Sequence, residues 1–386
     1  MKPPEGSEIL SRDREGAVVS ALFLSPEPPI PGSGGGGLRS ASLLEYLRQR
    51  YSVDVLDFDL RPHSKSFAAK AWRNSMRLLR EVPPLFDRYS GYEDQLSARL
   101  GDSKYALGVV EHFWCAAYAP LLREHCRTLV LDLHNIESEL ARTHAGAARW
   151  PASWASGRFA EAYQRLEREW LPRFDIVLTA SDDDARLVKR LIEHPSVIVY
   201  PNALPEIPRP QVAEENCIVF SGNLEYHPNI EAVRWFRSSV WPRIRERSPG
   251  LEWRLIGKNP DAVARWTSGD DRIRTTGPVE NAVAEIARAK LAVVPLLSGS
   301  GTRFKILEAW AAERAVVSTP IGAAGLNAID REHLLLAEGA SALAAAVLRL
   351  LDDPSLRTQL GQSGRALYLN RFTWPRAWES LSAAGI

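Results

Sequence analysis

Ser298-Gly299-Ser300-Gly301-Thr302-Arg303-Phe304-Lys305-Ile306-Leu307-Glu308 follows an apolar run, Leu291 to Pro295, and opens an apolar segment continuing through Ala309, Trp310 and Ala311. The run reads as a buried strand and the segment as a helix, with a glycine turn between them. Free amides at such a helix mouth, together with the helix dipole, favour an anion. Arg303 and Lys305 stand in the first turn, where cations oppose the dipole, so a bound ligand is expected to offset their cost. Glu308 lies one to two turns further in. Amides and cations for phosphates, with a carboxylate for ribose hydroxyls, suit a nucleotide. A loop that merely caps a helix needs only one Ser or Thr.

Outward from this stretch the same strand–turn–helix unit recurs. In the second half, Cys217–Phe220 runs into Ser221-Gly222-Asn223, Glu252–Ile256 into Gly257, and Ala315–Thr319 into a turn with Gly322 and Gly325. In the first half, Ala17–Leu24 meets the loop Gly32-Ser33-Gly34-Gly35-Gly36-Gly37, and a helix is expected from Leu38 to Arg50. The glycines there let a ligand approach the backbone, although strict GxGxxG spacing is absent. Ala106–Val110 and Thr128–Leu133 read as strands that end in titratable residues, Glu111-His112 and His134. These belong on the same sheet edge as the glycine loop, where ligands of open α/β sheets bind. The fold class is therefore α/β, with two Rossmann-like doubly wound domains facing a cleft. Residues 1–16 read as a loose tail, 17–200 as the first domain and 201–211, rich in proline, as a linker. Residues 212–365 form the second domain, and 366–386 a closing helix free to cross back to the first.

At 386 residues with net charge +1, the chain is long enough for two cores and offers no basic field for nucleic acid. Cys115, Cys126 and Cys217 lack metal spacing and read as reduced thiols of a cytoplasmic protein. His134 has no second His or Cys at ligand spacing, so no metal site is expected. Between Ser64 and Glu81 an amphipathic helix is expected. Lys70, Arg73, Arg77 and Arg80 share one face, and Trp72, Met76 and Leu79 share another. Such a helix either packs its apolar side on the core or lies on an anionic membrane at its inner face.

The run GSGTRFKILEAWAAERAVVSTPIGAAGL resembles the donor-site signature of GT-B fold glycosyltransferases of the group 1 (GT4-type) family. PPIPGSGGGG, LDLHNIESEL, ASDDDA, YPNAL, FSGNLEYHPN and FTWPRAWESL fall in the matching order. The resemblance implies retaining transfer of a sugar from a nucleotide-sugar substrate, with no cofactor and no metal. The acceptor would be a saccharide or lipid-linked, as in surface polysaccharide or glycolipid synthesis. It implies that Glu308 is the second Glu of an E-x7-E motif and binds the donor ribose. The first Glu falls at Ser300, which brings a hydroxyl and no charge. His134 matches a histidine near the donor sugar, so His134 and Ser300 are the catalytic candidates. Gly34, Gly35, Gly36, Gly222, Asn223, Gly301, Thr302, Arg303, Lys305 and Glu308 are the donor-binding candidates. The family's Arg and Lys in the turn opening the second domain have no counterpart around Gly222–Asn229, and Arg303 and Lys305 are read as their replacements. Glu313 stands where relatives often carry Gly and reads as a surface change. The Ser300 departure keeps open a non-catalytic nucleotide-sugar-binding or partner-binding relative. A nucleotide-sugar epimerase is a further alternative.

Overall fold

The computed structural model describes residues 19–26, 28–29, 35–64, 66–147, 150–194, 196–298 and 304–386. The expected tail, and the candidates Gly34, Ser300, Gly301, Thr302 and Arg303, lie outside the described residues. The chain divides into two compact units, Met1–Tyr200 with Trp378–Ile386, and Pro201–Ala377.

The first unit holds a parallel sheet of β1 (Ser20–Leu24), β2 (Ser52–Leu56), β3 (Tyr105–Glu111), β4 (Cys126–Asp132), β5 (Ile176–Thr179) and β6 (Val197–Val199). Their order is β2-β1-β3-β4-β5-β6. Ala21 to Leu24 have no exposed surface, as a short apolar run in a sheet covered on both faces requires. α1 (Gly35–Arg48) buries Leu43, Leu44 and Leu47 on one side, the period of a helix that covers a sheet. The order reverses direction between β1 and β3, which opens a crevice at their carboxyl ends.

The second unit repeats the plan with β7 (Cys217–Ser221), β8 (Glu252–Ile256), β9 (Ile273–Gly277), β10 (Leu291–Val294), β11 (Ala315–Ser318) and β12 (Leu335–Leu336). The order β12-β11-β10-β7-β8-β9 reverses between β7 and β10. The helix Phe304–Ala311 follows β10 and is anchored by buried Ile306, Leu307, Ala309 and Trp310. Trp310 lies fully buried and donates its indole N–H to the His333 carbonyl at 3.2 Å.

Three features differ from the sequence expectation. The proline-rich segment at 201–211 is tied down within the second unit. The Leu204 amide donates to the Phe372 carbonyl at 2.9 Å, the Trp374 amide to the Leu204 carbonyl at 3.0 Å, and Tyr368 Oη to the Pro205 carbonyl. Glu313 is no simple surface residue: it adopts φ +56°, where Gly has no steric cost, and its side chain is 14% exposed with Arg209 at 3.2 Å. The third concerns α2 (Phe67–Leu79), which packs only part of its apolar side, half-burying Met76 and Leu78. Arg77 points inward to Asp87 at 2.8 Å, while Phe67, Trp72 and Leu79 stand exposed.

Candidate active site

Each crevice gathers side chains from neighbouring strand ends. In the first unit, parallel register sets Glu111 of β3 beside Asp132 of β4, and neither has exposed surface. Two adjacent buried carboxylates must be answered by cations or by protons. Arg39 of α1 supplies one answer. Its Nε donates to Asp132 Oδ2 at 2.8 Å, and its Nη1 donates to the Tyr200 carbonyl at 2.6 Å. Its guanidinium also lies over the Tyr200 ring, 4.4 Å from the centroid. His134 supplies the other, with Nε2 3.4 Å from Asp132 Oδ2 and 3.5 Å from Glu111 Oε2. Ser40 Oγ donates to Glu111 Oε2.

The charges follow from this packing. Burial opposes the imidazolium of His134, but the two carboxylates of Asp132 and Glu111 beside it overcome it and raise the group to about 9. Asp132 feels the same desolvation, yet Arg39 and His134 hold it well below the usual carboxylate range. Burial pushes Glu111 up. His112 is held well below its ordinary value by burial and by charged His134 beside it. A neutral imidazole therefore lies against a protonated one, with ring centroids 3.7 Å apart.

Sequence reading missed His112 as a partner of His134, because 22 residues separate them along the chain. It follows β3 directly, at φ +64°, an uncommon conformation for a non-glycine residue. Trp114 stacks on its other side, centroids 4.2 Å apart, and donates to Glu137 Oε1 at 3.0 Å. Burial and the neighbouring Glu167 raise Glu137 to about 8. His112 and Trp114, with Ser25, Pro28, Gly36 and Ser40, line a pocket of about 180 Å³. His134 Nδ1 faces Gly36, where an added Cβ would lie 3.5 Å away. Spacing along the chain is thus no argument against a metal: Glu111, His112 and His134 place one ligand atom each within 4.8 Å of one another. Arg39 and protonated His134 already stand against the two carboxylates, so the cluster balances its charge from its own side chains.

The second crevice is built from smaller and fewer groups. Glu308, on the helix after β10, accepts a hydrogen bond from Ser221 Oγ at the end of β7 at 2.9 Å. Burial raises its carboxyl, and Ser221 and Lys305 lower it by less. Lys305 reaches across to the turn after β7: its Nζ donates to Asn229 Oδ1 at 3.1 Å and lies 5.2 Å from the centre of the Phe220 ring. A Cβ on Gly222 would meet that Nζ at 3.3 Å. Lys305 therefore occupies the turn that carries no cation of its own. Asn223 accepts at its carbonyl from Asn229 Nδ2 at 2.7 Å, which shapes the same turn. Gly257 is required there too, since a Cβ would lie 1.8 Å from the Gly222 oxygen. Sequence reading also missed Asn229, Glu231 and Ser298. Ser298 Oγ donates to Glu231 Oε2 at 3.0 Å and pins the chain just before the glycine stretch.

Residues 215–353 match the family model described as Glycosyl transferases group 1. In that stretch the chain is similar to the group 1 glycosyl transferases. The match falls on the unit that contains Ser221, Lys305 and Glu308 and bears out the resemblance read from the sequence. A curated relative, an uncharacterized 44.6 kDa protein in the cps region of Klebsiella pneumoniae, is 25% identical over 131 residues, covering 32% of this chain. The matched part spans about a third of that relative's length, 34%.

Among solved structures, sucrose-phosphate synthase from Thermosynechococcus elongatus superposes with a TM-score of 0.73 at 17% identity, over 95% of this chain and 98% of that one. HepE of Anabaena, in complex with UDP-glucose, gives 0.66 at 16% identity over 94% and 99%. An α,α-trehalose-phosphate synthase (UDP-forming) from Burkholderia vietnamiensis gives 0.63 at 13% identity over 95% and 99%. These likenesses establish the GT-B fold, with two Rossmann-like domains. Among the described residues, no helix is long and apolar enough to cross a membrane.

Proposed function

We propose that the protein is a retaining glycosyltransferase that moves a sugar from a nucleotide-sugar to a saccharide or lipid-linked acceptor in polysaccharide synthesis. The observation that carries this reading is Glu308. A half-buried carboxyl, oriented by Ser221 and flanked by Lys305, stands at the switch point of the unit matched by the group 1 model. In this reading Glu308 accepts the ribose hydroxyls. Lys305 and the amides at the start of its helix, with Arg303, stabilise charge developing on the leaving diphosphate. His134, protonated and next to Gly36, donates toward the donor sugar or its phosphate. The acceptor hydroxyl attacks the face that the diphosphate leaves, and the departing phosphate takes its proton. The cps-region relative and the UDP-glucose-bound neighbour support the substrate class.

The test combines nucleotide binding with donor turnover. A thermal-shift panel of nucleoside diphosphates and nucleotide-sugars should stabilise the wild-type protein. Glu308→Gln should weaken the preferred ligand by about 10- to 100-fold, the worth of a hydrogen bond to a charged group. Unchanged affinity would remove Glu308 from the donor site. A second reading, a nucleotide-sugar-binding protein without turnover, is motivated by Ser300 at the first motif position. Slow donor hydrolysis by wild type separates the two, because a binding protein shows affinity and releases no sugar.

A further inference from the structure

α2 turns only part of its apolar surface inward. Half-buried Ala69, Met76 and Leu78 face the protein together with Arg77, which is buried and pairs with Asp87, and Arg73, whose Nη1 donates to the Ser64 carbonyl at 3.2 Å. Its outward side carries Phe67, Trp72 and Leu79, exposed by 88%, 70% and 77%. The helix is well formed nonetheless, since Ser66 caps it by accepting from the Ala69 amide at 3.2 Å. Three large apolar side chains so exposed on one short helix mark an interaction surface rather than scattered surface residues.

Charge identifies the partner. Residues 60–80 contain six Lys and Arg and no Asp or Glu. The acids that border this segment are outnumbered. Asp87 faces both Arg77 and Arg80, and Glu81 faces both Arg158 and Arg165. The Glu81 pairs fix the end of α2 against the helix Ala152–Trp170, one turn from Trp154, which is 56% exposed. Lys70 is exposed on α2 itself. Aromatic and leucine side chains in a cationic frame suit the boundary between acyl chains and anionic headgroups.

We propose that the outward face of α2, Phe67, Trp72 and Leu79, with exposed Lys70 at its flank next to Phe67, docks this protein on an anionic lipid bilayer. Arg77 takes no part in the docking. It holds the helix to the protein and so turns the apolar face outward.

The experiment is co-sedimentation of the full chain with vesicles of phosphatidylcholine alone and of phosphatidylcholine with phosphatidylglycerol. Wild type should bind the anionic vesicles and release as salt rises, with little binding to the neutral ones. The triple variant Phe67→Ser, Trp72→Ser, Leu79→Ser should lose at least about tenfold in partitioning, because apolar area drives insertion. The changed side chains are exposed, so its circular dichroism and thermal unfolding should match wild type. Lys70→Glu should weaken binding to anionic vesicles only. Absence of vesicle binding by wild type, equal binding to both vesicle types, or undiminished binding by the triple variant would overturn the proposal. A wild-type dimer in solution that the triple variant converts to monomer, without vesicle binding, would assign the face to a second copy and overturn it as well.

Discussion

At the crevice of the first sheet, Arg39, Glu111, His112, Asp132 and His134 meet in a small buried volume, and their charges answer one another. At the crevice of the second, Ser221, Gly222, Asn229 and Glu308 surround one ammonium, Lys305. Topology is the same in both: a parallel sheet whose order reverses at a central strand. The difference teaches where function and stability are stored. A network of buried charges is held by mutual attraction and is costly to break. A turn of glycine and small polar groups, joined by hydrogen bonds rather than by buried ion pairs, has less internal energy to lose. Substitutions in the first crevice should therefore be read in unfolding, and those in the second in binding.

The largest effect tests the first half of that statement. Arg39→Ala leaves the Asp132 carboxylate buried with its main counter-ion gone, and should cost about 3–5 kcal/mol by urea unfolding. Lys305→Ala, on a partly exposed side chain, should cost less than about 1 kcal/mol while nucleotide binding falls. Equal costs would erase the distinction between the crevices. The double variant Arg39→Met with Asp132→Leu sharpens it, because removing both charges should restore much of the lost stability.

A glycine substitution probes the second crevice by sterics. Gly257→Ala places a methyl 1.8 Å from the Gly222 oxygen at φ +148°, so the turn after β7 must move. The conformational strain alone should cost about 1–3 kcal/mol. The displaced turn should also weaken nucleotide binding in the thermal-shift assay. Gly269→Ala, with φ +80° and open space around it, is the matched control: similar strain, no displaced turn, and unchanged nucleotide affinity.

What the sequence made legible follows from range. Strands such as Ser20–Leu24 and Leu291–Val294 declare themselves by unbroken apolar runs, and the glycines after them by the turns they must make. The two-domain plan needs nothing more. The charge network was closed to sequence reading because it depends on register. Glu111 neighbours Asp132 only once β3 and β4 align, and Arg39 reaches Asp132 across 93 positions. His112 and His134 meet for the same reason. Lys305 was legible as a candidate, but its reach to Asn229 and the Gly222 turn was not. In α2 the periodicity defines two faces without saying which turns inward; the Arg77–Asp87 pair, ten positions apart, decides it.

The charged crevice also predicts a pH dependence. His134 titrates at about 9, above its ordinary 6.5, because the two carboxylates outweigh burial. A raised folded-state value means that its stabilisation is complete below pH 6.5 and is lost as pH climbs through 9. Wild type should therefore lose stability over that window relative to His134→Gln, on the order of 1 kcal/mol per pH unit. Urea unfolding at several pH values reads the difference. Parallel curves for the two proteins would show that His134 is neutral in the fold and that the carboxylates are answered by Arg39 alone.

The smallest predicted effect sets one hydroxyl in each unit against the other. Ser40 donates to Glu111, and Ser221 donates to Glu308. Glu111 has no exposed surface, and its Oε1 has no hydrogen-bond partner among the described residues. Ser40→Ala therefore leaves a second buried oxygen short of a donor and should cost about 1–3 kcal/mol. Glu308 is only partly buried, so water can replace the lost hydroxyl, and Ser221→Ala should cost about 0.5–1 kcal/mol. Its larger consequence falls on the ligand. Without Ser221 the Glu308 carboxyl loses a hydrogen bond that favours its charged form and one orienting contact, so nucleotide affinity should fall and shift its pH dependence upward. Titrations of both variants with nucleoside diphosphate separate the cases: affinity lost with Ser221→Ala and stability lost with Ser40→Ala keep the two crevices distinct, and the reverse pattern would exchange their roles.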